Sequence, residues 1–316
     1  MKRLVVLEND AGQRLDKFLL KALPRLPKSL LYKGVRKKRI KRNGGRCTIA
    51  DRLQTGDVIE VYLNDDTLQP DEKMDFLHAP PVLNILYQDP HIVLIDKPAG
   101  LLVHADAQGS ADTLINRLLH YLYQSGAYAP ALENSFTPAL CNRIDRNTGG
   151  IVIAAKDFAT LQMLNEKIKQ REISKTYLCL VYGVPKIPQA TLRGYHIKNA
   201  QTNTVQILKT PVPGAKTALT RYRLLKAYED SSLLEVELLT GRTHQIRAQM
   251  ASIGHPLLGD TKYGHAAVKA HGYRFQALYS YKLRFDFPTD AGHLNYLKGR
   301  TFQVEQVPFA GTATPE

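Results

Sequence analysis

The stretch that most constrains this chain is Ile151-Val152-Ile153-Ala154-Ala155, an unbroken apolar run entered from the polar turn Cys141 to Gly150. No alternation leaves one side polar, so it reads as a strand buried on both faces. Gly149 and Gly150 let the backbone turn sharply into that strand without a Cβ penalty. In the turn, Asp145 sits between Arg143 and Arg146 and is held by the strand rather than by a mobile loop. Taken alone, such an aspartate is most simply a turn residue bonding its own backbone. Two later stretches raise it above that reading.

The rest of the chain frames those stretches. Its 316 residues have room for one large domain and one small one. Cys47, Cys141 and Cys179 form no metal or redox pattern and read as reduced packing thiols. No apolar run is long enough to cross a bilayer and the first residues lack a signal-peptide core, so a cytoplasmic protein without a membrane partner is expected. The net charge of +14 favours polyanions, RNA foremost. With no tryptophan, base stacking must use Tyr, Phe, His or Arg.

Residues 1–64 read as a small separate unit. Leu15, Phe18, Leu19 and Leu23 give one helical face, ended by Pro24 and Pro27. Ser29 is positioned to cap a second helix from Leu30 to about Lys38, Asn43-Gly44 is a turn signal, and Gly56 to Tyr62 alternates like a closing strand. Nine lysines or arginines and no carboxylate lie between Lys28 and Arg46, among them Arg36, Lys37, Lys38, Arg39, Lys41 and Arg42. Such crowding is either a solvated face or a phosphate-contacting surface whose binding weakens with salt. Residues 65–81, with Asp65, Asp66, Asp71, Glu72 and Asp75, read as an acidic linker closed by Pro80-Pro81. Residues 82–305 form the large domain, and residues 306–316 a loosely held tail. In the large domain a hairpin precedes a helix from Thr113 to Tyr123, and a second helix from about Asp157 to Gln170 buries Phe158, Leu161, Leu164 and Ile168. On the next strand Tyr177, Cys179 and Val181 share one face, with Leu178, Leu180 and Tyr182 on the other. A strand from Ser232 to Leu239 leads through Thr240-Gly241 into a helix that Thr243 can cap. Strands separated by irregular intervals point to an α+β fold with a mixed sheet rather than a regular βαβ series.

Three motifs in order carry a resemblance: Asn142-Arg143-Ile144-Asp145, then Lys175-Thr176-Tyr177, then Gly241-Arg242-Thr243-His244-Gln245-Ile246-Arg247, with Pro98-Ala99-Gly100-Leu101 ahead of them. From about Val82 to Phe287 the chain resembles the RluA-type family of RNA pseudouridine synthases. Asn142 stands where that family's pattern has His, and Gly149 where it has Ser. The N-terminal unit is similar to an S4 RNA-binding domain in Arg14 to Phe18 and Gly56 to Val61. The resemblance implies a largely antiparallel catalytic sheet behind an S4-like domain, in an isomerase acting as a monomer on structured ribosomal or transfer RNA. It implies Asp145 as the catalytic carboxylate, with Tyr177 and Arg247 beside it. Arg143, Arg146, Lys175, Arg242 and His244 are then expected to contact RNA, together with the basic run of the small unit.

The chemistry agrees with these residue types. Moving uracil from an N1 to a C5 glycosidic bond involves no redox change and no net hydrolysis, so no cofactor, nucleotide or metal is expected. It needs one ionised carboxylate as nucleophile or base. A forked guanidinium contact from Arg247 is expected to keep Asp145 charged against desolvation. The Tyr177 ring can stack on the freed base and its hydroxyl can accept or relay the C5 proton. The other readings are a noncatalytic RNA-binding or ribosome-assembly factor, which has no use for an acid–arginine pair, and a glycoside-cleaving hydrolase, for which no second carboxylate accompanies the motifs.

Overall fold

A computed structural model of the chain describes every residue except 65, 66, 69–73, 108, 200, 203, 266, 267, 269–271 and 312–316. Of the expected linker acids, Asp65, Asp66, Asp71 and Glu72 lie outside the described residues, while Asp75 opens a short 3-10 turn, Asp75–His78.

The N-terminal unit runs β1 (Lys2–Val5), α1 (Leu15–Ala22), α2 (Lys28–Arg36), β2 (Ile40–Arg42) and β3 (Val58–Val61). β3 lies between β1 and β2 and is antiparallel to both. The stripe Leu15, Phe18, Leu19 and Leu23 packs with Leu31, Ile40, Ile59 and Val61 in a core of its own. Two details differ from expectation. α2 starts at Lys28, directly after Pro27, whose fixed φ of −62° sets the helix entry, and Ser29 caps nothing. Asn43-Gly44 does turn the chain, but into a single bridge between Arg42 and Gly45; β2's partner strand is β3. The Asn43 side chain explains this, because it bonds Asp57 and the Val58 amide and so ties the turn to β3.

The remaining elements are β4 (Ile85–Gln88), β5 (Ile92–Lys97), α3 (Leu114–Gln124), β6 (Ala139–Leu140), β7 (Gly149–Ala155), α4 (Phe158–Lys169), β8 (Ile173–Tyr182), β9 (Gln189–Asn199), β10 (Thr204–Leu208), β11 (Lys216–Ala227), β12 (Ser231–Leu238), α5 (Gln245–Ser252), β13 (Leu278–Phe285) and β14 (Thr301–Gln303). The strands form one 11-stranded sheet whose path is β10-β9-β11-β12-β8-β13-β7-β5-β4, with β14 on β13 and β6 on β7. Among the described residues every pairing of named strands is antiparallel except β7 with β13.

β7 is buried along its whole length, as its unbroken apolar sequence requires. Ile151, Ile153 and Ala155 pack toward Leu164 of α4, and Val152 and Ala154 toward Leu114, Leu118 and Leu122 of α3. α4 buries Leu164 fully but leaves Phe158, Leu161 and Ile168 half-buried. β8 separates two cores by simple alternation. Tyr177, Cys179 and Val181 meet Ile246 and Met250 of α5, while Leu178 and Leu180 face the other side. Of the tail expected at residues 306–316, Val307 and Phe309 are buried in the core that also holds Ile92 and Leu94, and residues 312–316 lie outside the described residues. No helix among the described residues is long and apolar enough to cross a membrane.

Candidate active site

Asp145 stands just before the turn at Arg146 and Asn147 that enters β7, and the Thr148 amide donates to its carbonyl. The turn is pinned from the β5 side. The amide of Gly100 and the Nζ of fully buried Lys97 both donate to the Arg146 carbonyl, at 2.9 Å each. Lys97 Nζ also donates to the carbonyls of Pro98 (2.9 Å) and Leu101 (2.8 Å). Burial pushes the ammonium down to about 7, against the pull of Asp145 and Asp96. Three carbonyls match the three N–H groups of an ammonium, whereas a neutral amine would aim a lone pair at one of them, so the geometry favours the charged form. On the other side β7 meets β13 so closely that side chains have no room. A Cβ on Gly150 (φ +112°) would lie 2.3 Å from the Ser280 carbonyl oxygen, and one on Gly149 2.4 Å from the Tyr279 ring. Tyr279 thus occupies the space a serine at 149 would use. Asn142, the other departure from the family pattern, extends the sheet: its Oδ1 accepts the Ile153 amide at 2.8 Å.

Arg247 reaches this turn from α5. Its Nη1 donates to Asp145 Oδ2 at 3.0 Å, across 102 residues of sequence. The fork goes elsewhere than expected. Nε and Nη2 grip the two oxygens of Asp260 at 2.7 and 2.9 Å, so Asp145 receives the one remaining arm. Asp260 is fully buried, and its carboxyl is held below the usual range, against desolvation, by Arg247 and by the amides of Lys262 and Tyr263. A paired carboxylate therefore aims the guanidinium before any ligand arrives.

Tyr177 is buried beneath the turn. Burial pushes its hydroxyl up to about 12, assisted by the charge of Asp145 and opposed by a hydrogen bond with Ser280. The phenol is neutral at ordinary pH, which suits it to stacking or donating and not to accepting a proton as phenolate. His244, expected on the RNA surface, is turned inward: its side chain is 10% exposed, with Nε2 3.7 Å from Asp145 Oδ2. It forms the N-cap of α5 with a left-handed backbone, φ +52°, and Thr243 does not cap the helix. Gln245 shapes the approach instead, accepting from Thr240 and from the Arg242 amide and donating to the Leu219 carbonyl.

Arg143 and Arg146 are exposed on the same turn, Arg146 Nε donating to the Gly100 carbonyl. A hollow of about 430 Å3 opens beside it, lined by Ala99, Gly100, Arg146, Asn147, Arg274 and Phe275. A larger hollow of about 740 Å3, behind Gly149, reaches none of Asp145, Tyr177 and Arg247. Arg242 is half-buried, its Nε near the Thr217 carbonyl. Lys175 is not drawn to Asp145: it is half-buried beside Cys141, and desolvation lowers its affinity for a proton. In the small unit Arg36, Lys37, Lys38 and Arg39 are exposed and Lys41 lies over the Tyr62 ring. Arg42 is committed internally, 2.6 Å from Asp57, a carboxylate outside the basic run.

Sequence reasoning missed Asp260, Lys97 and Tyr263. Asp260 looks like a turn residue after Gly259, and of the carbonyls that hold Lys97 two are its near neighbours, Pro98 and Leu101, while the third, Arg146, is distant in sequence. Among the described residues one trio, His91, Asp157 and His293, has its ligating atoms within 4.8 Å of one another. It stands apart from the constellation, and Asp157 there already accepts from Thr160 and His91 as the cap of α4.

A carboxylate, a guanidinium fixed on one of its oxygens and a buried phenol thus converge at one surface turn. Residues 91–252 match the family described as RNA pseudouridylate synthase, and residues 13–59 match the S4 domain. The chain is 30% identical to ribosomal large subunit pseudouridine synthase C of Haemophilus influenzae, over 97% of this chain and 94% of that one. It is 34% identical to ribosomal large subunit pseudouridine synthase D of Nitrosomonas europaea, over 84% and 72%. In fold it is similar to the structure of human RNA pseudouridylate synthase domain containing 1, with a TM-score of 0.58 and 20% identity over 78% of this chain and 92% of that one.

Proposed function

Because the chain belongs to the RluA-type RNA pseudouridine synthases and carries an S4 domain at its N-terminus, we propose that it isomerises uridine in large-subunit ribosomal RNA with Asp145 as the reacting carboxylate. The N1–C1′ bond breaks and a C5–C1′ bond forms, while N1 gains a proton and C5 loses one. The observation that carries the reading is the 3.0 Å contact from Arg247 Nη1 to Asp145 Oδ2, made by a guanidinium already gripped by Asp260. Such a cation keeps a carboxylate ionised where RNA excludes water, and ionised is the form a nucleophile or base requires. The second oxygen, Oδ1, is left for the ribose or the base. Tyr177, neutral and buried, offers its ring to the detached uracil and its O–H as a donor.

A uridine in folded RNA must leave its stack to reach this turn. Arg143 and Arg146, exposed on either side of Asp145, suit the vacated space and the flanking phosphates. Arg242 and the exposed row Arg36 to Arg39 add charge for the backbone. The choice of ribosomal RNA rests on the names of the relatives. Pseudouridine mapping of all stable RNAs, in cells with and without this chain, tests it. One or more large-subunit sites should revert to uridine on deletion; an unchanged ribosomal map with losses in transfer RNA would redirect the substrate, and no change anywhere would end the proposal.

A further inference from the structure

We infer that His244 is a positioning residue for Asp145, locked by Tyr263 in the tautomer that turns a neutral imidazole N–H toward the carboxylate. This rests on the proposal that Asp145 is the reacting acid.

The surrounding donors and acceptors fix the tautomer. The Val205 amide on β10 points at the Tyr263 phenol oxygen from 2.9 Å, and an amide N–H can only donate. The same oxygen lies 2.9 Å from His244 Nδ1. Among the described residues Nδ1 is the acceptor within reach of the phenolic hydrogen, so the O–H donates to Nδ1. The imidazole proton is then on Nε2, the atom that faces Asp145 Oδ2 at 3.7 Å. That gap is slightly longer than a hydrogen bond.

The frame around the ring is built to hold it. His196 Nε2 bonds the Thr243 carbonyl at 2.9 Å, the Tyr263 ring meets the imidazole edge-on, and the Arg247 guanidinium lies 5.2 Å from the centre of that ring. The ring is faced by Asp145 from the turn before β7, by Arg247 on α5, and by Asp260, Lys262 and Tyr263 after it. Burial lowers the imidazole's proton affinity, and Arg247 and Lys262 outdo part of the pull from Asp145 and Asp260. A neutral donor suits the task. A second full cation on Oδ2 would drain the carboxylate's reactivity, whereas an N–H dipole orients it. Arg247 and His244 both address Oδ2, which turns Oδ1 toward the substrate.

The test uses the full chain labelled with 15N-histidine, and single-turnover tritium release from a large-subunit ribosomal RNA transcript labelled at uracil C5. The expected spectrum has His244 protonated on Nε2 and bare on Nδ1, and Tyr263→Phe should lose that preference and move the acid limb of the rate to higher pH. His244→Leu should slow single turnover roughly tenfold, the worth of one hydrogen bond to a charged group, with RNA affinity unchanged. His244→Gln, which can supply an N–H at the same point, should keep most of the rate. An Nδ1–H tautomer in the wild type overturns the inference, as does a His244→Leu variant that binds RNA more weakly but reacts normally when saturated. Asp145→Asn is run beside these: a normal rate there sinks the parent reading, whereas a dead Asp145→Asn with a normal His244→Leu sinks only this one.

Discussion

At the scale of single residues, the site depends on how Arg247 divides its donors. Two go to Asp260 and one to Asp145, so the contact on which the proposed chemistry relies is aimed by a second carboxylate, that of Asp260. Removing one partner of a buried pair leaves the other charge uncompensated. Asp260→Asn should therefore cost about 3–5 kcal/mol at pH 7, measured by urea unfolding. The sign with pH follows from the lowered carboxyl of Asp260. Its contribution is present above the unfolded value of about 3.9 and is lost as pH falls through the lower folded value, so the gap between wild type and variant should narrow below about pH 4. A gap that stays constant down to pH 3 would contradict the pairing. The motif singled out Asp145, Tyr177 and Arg247, and the fold brings the guanidinium of Arg247 onto Asp145. It could not reveal that the fork belongs to Asp260, because a lone aspartate after a glycine carries no sign of burial. The inward turn of His244 is hidden too, since it goes with a left-handed backbone that the residue types around it do not announce.

At the scale of elements, the Asp145 turn is fixed by the approach of β7 to β13. Gly150 combines a φ of +112° with a backbone contact that leaves no space for a methyl group. Strain and overpacking each contribute about 1–3 kcal/mol, so Gly150→Ala should lower the melting temperature sharply and reduce turnover along with it. A variant that melts and turns over normally would show that the two strands can part without moving the acid. The apolar run of β7 was readable because a strand buried on both faces leaves no polar positions, and the two faces of β8 because side chains alternate along any strand. The caps were not: Ser29 and Thr243 have the right chemistry, but the helices begin at Lys28 and Gln245, so the cap positions fall on Pro27 and His244.

At the scale of the whole molecule, the small basic unit is docked on the catalytic one by polar contacts. Buried Asp10 accepts from Asn134 and Ser135, Asn9 donates to Glu133, and Gln13 donates to Ser135. Its exposed cations then stand at a set distance from the Asp145 turn. Replacing Arg36, Lys37, Lys38 and Arg39 together by Ala should weaken RNA binding and flatten its salt dependence, by about 0.7–0.9 in the logarithmic slope for each phosphate no longer neutralised, with the saturated rate preserved. An unchanged slope would mean the row is a solvated face. Arg42 does not belong in that set, because its partner Asp57 makes it part of the unit's own structure. Single-turnover pseudouridine formation by Asp145→Asn, a change of nearly equal shape that removes only the charge, puts the role of the acid to its plainest trial. The rate should fall by about 10²–10⁴ or more at undiminished RNA affinity; a rate equal to the wild type's would contradict that role.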